Sequence, residues 1–283
     1  MNDLVQRLTS LDSNRRVLLN KYIERARPVF EPIAIIGMSC RFPGAPTLQS
    51  YWEMIRDARR SMSPIPVERW DNDALFSPAG GAGRTTVKTG GFLQSVDQFD
   101  ALFFGITPRE AAKMDPQQRL LLEVTWEALE NAGLAPERTA GSRTGVFIGV
   151  GAADYAKVPV TMDDYYGQID AHCGTGNALS IAANRLSYIF DWHGPSLIVD
   201  TACSSSLVAL HTAAKHLQSA DADLAICGGA NLILTPETTI AFSNARMLSP
   251  DGFCRPFDSR ANGYVRGEGA GVIVMKRLTD AVA

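Results

Sequence analysis

Leu197-Ile198-Val199-Asp200-Thr201-Ala202-Cys203-Ser204-Ser205-Ser206-Leu207-Val208-Ala209-Leu210 reads as a short apolar strand, a tight polar turn and the opening of a helix. The helix continues to about residue 218 through Ala213, Ala214 and Leu217, so apolar side chains occupy nearly all of its faces. A helix lying on an open sheet is polar on its outer side, whereas one that is apolar all round is buried. The helix predicted over 178–190, with Leu179, Ile181, Ala182, Ala183, Leu186 and Ile189, has the same character. Two such helices predict a helical layer sandwiched between two sheets. The chain has difficulty supplying both, because its other predicted buried strands are only 33–37, 145–150, 224–229 and 271–275.

These strands alternate with helices predicted near 48–59 and over 108–133, the latter stopped by Gly133. Apolar strands alternating with helices indicate an α/β protein whose sheet is covered on both faces. Residues 1–30 stand apart. Leu4, Val5, Leu8 and Leu11, then Val17, Leu18, Leu19, Tyr22 and Ile23, fall at helical spacing among charged residues, with Asp12 or Ser13 as a cap and Pro28 and Pro32 as stops. The expectation is a helical linker or docking segment over 1–30 ahead of a main domain over 31–283.

The 283 residues carry 27 Lys and Arg against 30 Asp and Glu, a formal net charge of -3. That argues against a nucleic-acid partner, since phosphate binding needs a cationic surplus. No stretch approaches the ~20 apolar residues that span a bilayer, and the N-terminus lacks the apolar core of a secretion signal. The sequence reads as cytoplasmic, with no membrane partner. Five scattered cysteines without a C-x-x-C pair give neither a disulfide framework nor a metal site.

Cys203 is the candidate nucleophile. A thiol at a helix N-terminus feels the positive end of the macrodipole and nearby backbone N–H groups. Both favour the reactive thiolate, and the same donors suit an oxyanion formed on a thioester. The alternative is a buried cysteine in a Ser-rich turn. An acid–base partner is harder to find. His211 lies eight residues along the same helix, about 12 Å of rise, and His216 lies farther. His193 sits at the far end of the preceding strand, and the flanks of His172 offer no specific support; each reads most simply as a surface or packing residue. The glycine-rich runs 79–83 and 267–271 lack the context of a phosphate or dinucleotide loop, and the second reads as a turn.

Asp200-Thr201-Ala202-Cys203-Ser204-Ser205-Ser206 resembles the active-site motif of β-ketoacyl synthases of modular polyketide synthases. Ile35-Ile36-Gly37-Met38-Ser39-Cys40-Arg41-Phe42-Pro43-Gly44, Met114-Asp115-Pro116-Gln117-Gln118-Arg119 and Met247-Leu248-Ser249-Pro250-Asp251-Gly252 resemble the same family. The resemblance implies a thiolase-like layered fold, here its N-terminal portion, with a mixed, mostly parallel sheet and buried helices. It implies a homodimer and an acyltransferase of the 3-oxoacyl-carrier-protein synthase type, in polyketide or fatty-acid-type biosynthesis. In that reaction Cys203 accepts an acyl chain from the phosphopantetheine of an acyl carrier protein, for decarboxylative Claisen condensation with a malonyl-type extender. No cofactor binds the domain directly.

Two departures accompany the resemblance. The family's two histidines and lysine come from a second half, which implies that a chain ending at Ala283 lacks them and condenses nothing alone. Asn262 stands where the family usually has aspartate. Other polyketide synthase domains, or the missing half, are the further partners implied. Two other functions compete: a non-catalytic scaffold that dimerises or docks carrier proteins, and a cysteine hydrolase using His172.

Overall fold

Strand β1, Ile33–Arg41, opens a folded unit in which nearly every sheet strand carries β-branched or small residues on both faces. The computed structural model describes residues 31–158 and 169–283, together with residues 12, 15, 17 and 167. The expected helix at 1–30 lies outside the described residues apart from Asp12, Arg15 and Val17. There the Arg15 backbone N–H donates to Asp12 Oδ1 at 2.8 Å, the contact expected of a cap. Residues 1–32 and 33–283 are separate units.

In the second unit, α1 (Leu48–Arg56) is followed by a small pair of strands, β2 (Ser63–Pro64) and β3 (Thr89–Gly90), with the short helix α2 (Asn72–Leu75) between them. The helix expected over 108–133 is two: α3 (Pro108–Ala111) and α4 (Pro116–Asn131). The break has a plain local cause. Asp115 accepts the Gln117 N–H at 2.8 Å, and Pro116 takes the first position of α4, so a new helix starts there. Helix α5 (Pro136–Thr139) leads into β4 (Thr144–Gly149). Helices α6 (Ala171–Asn177) and α7 (Leu179–Ile189) precede β5 (Ser196–Val199), and α8 (Ser205–Gln218) precedes β6 (Leu224–Asn231). Helix α9 (Glu237–Asn244), β7 (Gly269–Arg277) and α10 (Leu278–Val282) complete the order.

The main sheet runs β1-β7-β6-β4-β5. It is mixed as expected, but β4 is parallel to β5 and β6 while β7 is antiparallel to β1 and β6. Parallel and antiparallel joints are therefore equal in number, where a parallel majority was expected; β7 returns beside β1 and joins it antiparallel. Gly269–Gly271, expected as a turn, is already β7. Gly228 and Gly271 let those two strands approach closely, since a Cβ on Gly228 would lie 2.3 Å from the Gly271 carbonyl oxygen.

Strand alternation sorts the core into two layers. Val146, Ile148, Ile226, Val272 and Val274 face α4 and α7, where Leu121, Val124, Ala128, Ala183 and Leu186 complete one cluster. Phe147, Ala225, Cys227 and Met275 face Ala209, Ala213 and Leu217 of α8 on the other side. Helices α7 and α8 therefore lie on opposite faces of one sheet, and the shared layer expected from their apolar character is not formed. Helix α7 is sealed by α4 and the sheet. Among the described residues helix α8 packs on its sheet side, with Leu207 70% and Val208 36% exposed. Among the described residues no helix is long and apolar enough to cross a membrane.

Candidate active site

The site begins with glycines that let a helix end touch the sheet. Gly149 and Gly229 are register partners on β4 and β6. A Cβ on Gly149 would lie 2.7 Å from the Ser206 backbone nitrogen and 2.8 Å from the Ser205 carbonyl carbon. The start of α8 thus rests on a floor without side chains. Gly151 serves similarly, because its Cβ would meet the Asp200 carboxylate at 2.8 Å.

Between β5 and α8 the chain makes a single 3-10 turn, Ala202–Ser204, with Cys203 at its centre. Ala202 has φ +55°, a conformation that costs a residue bearing a Cβ and that persists only where its surroundings enforce it. The enforcing contacts are explicit. Buried Ser205 accepts the Thr201 N–H at 2.9 Å and donates to the Ala202 carbonyl at 2.7 Å. The Ala202 N–H donates to Asp200 Oδ1 at 3.1 Å. Ser204 turns back to donate to the Thr201 carbonyl at 2.9 Å, so no side chain caps α8. The Ser205 N–H closes the 3-10 turn onto the Ala202 carbonyl, and α8 opens beside the exposed Cys203, an arrangement suited to holding developing negative charge on a bound carbonyl oxygen.

Cys203 opens into a cleft of about 950 Å³. The walls that matter come from the 264–271 segment, which sequence reasoning did not assign to the site. Tyr264 packs edge-on to Phe242, with ring centroids 6.5 Å apart. Burial raises its phenol above the ordinary value; Arg266 opposes this and nearby Cys203 adds to it. Arg266 donates to Thr239 Oγ1 at 2.7 Å, and burial holds its guanidinium below the usual range. Glu268 is buried, and burial pushes its carboxyl up against the pull of Arg69 at 2.9 Å and of the N–H groups of Leu93 and Ile233. That pair ties three loops to the cleft wall; with both charges hydrogen-bonded, removing one partner would strand the other in the interior. The only sequence signal for this wall was its membership of a glycine-spaced run, which carries no chemistry by itself.

The remaining candidates fall elsewhere, and among the described residues no histidine lines the cleft. His211 is exposed on α8; His216 stacks on Phe147 with centroids 5.2 Å apart and lies 3.1 Å from Asp221. Exposed His193 lies 2.9 Å from Asp191. His172 is half-buried in α6 and is not among the residues that line Cys203's cleft. Cys227 lies beneath α8 with its thiol pushed up to about 12 by burial, an inert core residue. The Met114–Arg119 motif is structural at Gln118, which donates to the Gly176 carbonyl at 2.9 Å and accepts from Arg185 Nε at 2.8 Å, joining α4 to α6 and α7.

A layered mixed sheet with a cysteine in a strained strand-to-helix turn, in front of a glycine floor, places the chain among proteins of one family, and the chain belongs to the β-ketoacyl synthases. The family's description "Beta-ketoacyl synthase, N-terminal domain" matches residues 30–281. The chain is 47% identical over 289 residues to a phenolphthiocerol/phthiocerol polyketide synthase of Mycobacterium tuberculosis, covering 100% of this chain and 16% of that protein. It is 48% identical over 286 residues to a second phenolphthiocerol/phthiocerol polyketide synthase chain of the same organism, covering 18% of it. Among solved structures, a ketosynthase from module 6 of the bacillaene synthase of Bacillus subtilis 168 is 41% identical at a TM-score of 0.78, covering 88% of this chain and 40% of that one. An oxazolomycin ketosynthase domain from Streptomyces albus gives 35% identity and a TM-score of 0.83, with 89% and 43% covered. The fold is thus thiolase-like, as the resemblance implied, and the chain spans less than half of the solved ketosynthases it matches.

Proposed function

We propose that the chain is the nucleophile-bearing portion of a polyketide synthase ketosynthase. In this reading the Cys203 thiolate attacks the thioester carbonyl of an acyl chain delivered on the phosphopantetheine of an acyl carrier protein. A new thioester forms at Sγ and the pantetheine thiol leaves, taking a proton. A malonyl-type extender then loses carbon dioxide, and its carbanion attacks the acyl-cysteine in a Claisen condensation: the new C–C bond forms, the acyl C–S bond to Cys203 breaks, the Cys203 thiolate leaves and the lengthened chain stays on the extender's carrier. The observation that carries this reading is the exposed Cys203 in an enforced strand-to-helix turn opening onto a large cleft. That no histidine among the described residues lines the cleft supports a division of labour: these residues load, and condensation draws on groups from the rest of a ketosynthase. A homodimer, other polyketide synthase domains as neighbours, a cytoplasmic setting and a linker or docking role for 1–30 complete the proposal. The bare face of α8 and the histidine-free cleft favour one second reading, a non-catalytic scaffold that dimerises or docks carrier proteins.

Intact-mass spectrometry after exposure to a small acyl thioester separates the two. Loading predicts one acyl adduct on the wild type and none on Cys203→Ala. A folded chain that never acquires the adduct, or acquires it equally without Cys203, favours the scaffold.

A further inference from the structure

Among the described residues, five charged side chains line the Cys203 cleft, and four of them already have partners. Lys157 Nζ lies 3.6 Å from Asp154 Oδ1, and the other Asp154 oxygen accepts the Leu234 N–H at 3.2 Å. Glu268 pairs with Arg69 at 2.9 Å, and Asp200 accepts the Ala202 N–H at 3.1 Å. The fifth is Arg266. Among the described residues it forms no ion pair, and its guanidinium has one hydrogen-bond partner, the hydroxyl of buried Thr239 at 2.7 Å.

A guanidinium presents five N–H donors in a planar fork and keeps its charge. Thr239 takes one of them. No Arg266 nitrogen is both buried and unpartnered, in contrast to Arg119 Nε, so the donors left over are accessible. The group is nonetheless short of water: it stands over the Phe242 ring, 5.7 Å from the centroid, and burial holds it below the usual range. A cation so placed gains more from an oxygen acceptor than one on the open surface. Its mounting is fixed, because the Arg266 carbonyl accepts the Gly91 N–H at 2.9 Å and the Gly267 carbonyl accepts Asn231 Nδ2 at 3.0 Å. The Tyr264 phenol, on the same wall, feels both Arg266 and Cys203, so guanidinium and thiol face one space.

Resting on the reading of Cys203 as acyl acceptor, we propose that Arg266 is a specificity-determining residue, donating to an oxygen that the acyl chain carries beyond its thioester. The cleft thereby favours hydroxyl- or keto-bearing chains over plain alkyl chains of the same length. An alkyl chain displaces water from the guanidinium and leaves its donors unmet, which is how a polar site rejects an apolar analogue. The other oxygen-rich substrate of that reading is the malonyl-type extender. Its carboxylate suits this role poorly, because a cation paired with it stabilises the charge that loss of carbon dioxide must remove. An oxygen on the acyl chain takes no part in the loading step, so holding it carries no such cost.

The test loads the full chain with three thioesters of N-acetylcysteamine: hexanoyl, and hexanoyl bearing a hydroxyl on its third or its fifth carbon. Initial rates by intact mass give the ratio of each hydroxylated chain to hexanoyl. At least one ratio should be about tenfold in the wild type, the size of one charge-assisted hydrogen bond. It should fall to about one in Arg266→Met and recover in part in Arg266→Lys, which keeps the charge. A merely structural role slows all three thioesters together, so ratios that survive in Arg266→Met, or that are about one in the wild type, overturn the proposal. A malonyl thioester added as competitor separates the two sources of oxygen. Inhibition that weakens in Arg266→Met while the acyl ratios stay put assigns Arg266 to the extender and overturns the proposal as well. The same acyl groups as unreactive amides, titrated into the Cys203→Ala chain, read the preference without thiol chemistry. If no thioester loads, the Cys203 reading fails and the amides decide. A hydroxyl preference that disappears when Arg266→Met is added to Cys203→Ala sustains the role of Arg266, and the lack of any preference overturns it.

Discussion

At the scale of single residues, the glycines around Cys203 act through what they leave out. Gly149 has no Cβ because the first turn of α8 occupies that space, and its nearest neighbours there are backbone atoms that cannot rotate away. Gly149→Ala should therefore destabilise the fold by about 1–3 kcal/mol, the usual cost of overpacking. It should also shift Ser205 and Ser206, slowing loading at Cys203. Gly174, in α6, has an ordinary φ, and a Cβ added there would find nothing within 4 Å. Gly174→Ala should be neutral or stabilise by about 0.5–1 kcal/mol, the propensity gain of alanine in a helix. Denaturant midpoints of the two variants give opposite signs if the glycine floor matters; equal shifts would refute it.

At the scale of elements, the start of β6 is held by charge as well as packing. Asp223, just before β6, accepts from Arg277 of β7 at 2.8 Å and from Arg143, before β4, at 3.0 Å. Arg277 also donates to the Leu217 and Ala222 carbonyls, fastening the end of α8 to the sheet. The Arg277 hydrogen bond, joined by Arg143, holds the Asp223 carboxyl below its ordinary value. Its stabilisation is present above the unfolded pKa and is lost as pH falls through the lower folded one, that is, below about pH 4. Asp223→Asn should lower stability at neutral pH and flatten the acid limb of a thermal-unfolding series. Added salt should shrink the difference, since the carboxylate is half-exposed. An acid limb as steep as wild type would remove Asp223 from this role. Much of this level was legible in the sequence. Apolar β-branched runs gave the five main strands, and the position of Cys203 between β5 and α8 followed from the switch in periodicity. The division of 108–133 was signalled by Asp115-Pro116, a cap and a first-turn proline inside one apolar pattern. The faces of α7 and α8 were not legible, because hydropathy records that a residue is covered and not by what. Arg185 on α7 is covered by α4 and α3 through Gln118 and Glu110, whereas Leu207 on α8 has no such cover. Tyr264 escaped for a related reason: it reaches the site through pairing with 247–249, which no local spacing announces.

At the scale of the whole molecule, one sheet carries unequal cover. Helices α4 and α7 close one face into a continuous core, while α8 packs on the other and turns Leu207 and Val208 to solvent, with Leu210 half-buried beside them. Helix α8 also supplies the N-terminus beside Cys203, so the element that serves the site is the one with the bare apolar side. Contiguous apolar surface of this kind drives association, and burying a leucine contributes about 1.5–3 kcal/mol. In isolation the 283-residue chain should self-associate in a concentration-dependent way, which sedimentation velocity would show as a loss of the monomer boundary with rising concentration. The double variant Leu207→Gln, Val208→Gln should move the population toward monomer while helix content by circular dichroism is kept, because neither residue packs in the core under α8. Acyl loading should survive in the monomeric variant if the turn at 202–204 is enforced from within the chain by Asp200, Ser205 and Gly149. A wild-type chain that remains monomeric at tens of micromolar would show that this face does not drive assembly, and loading lost together with association would show that the turn depends on a neighbour for its shape.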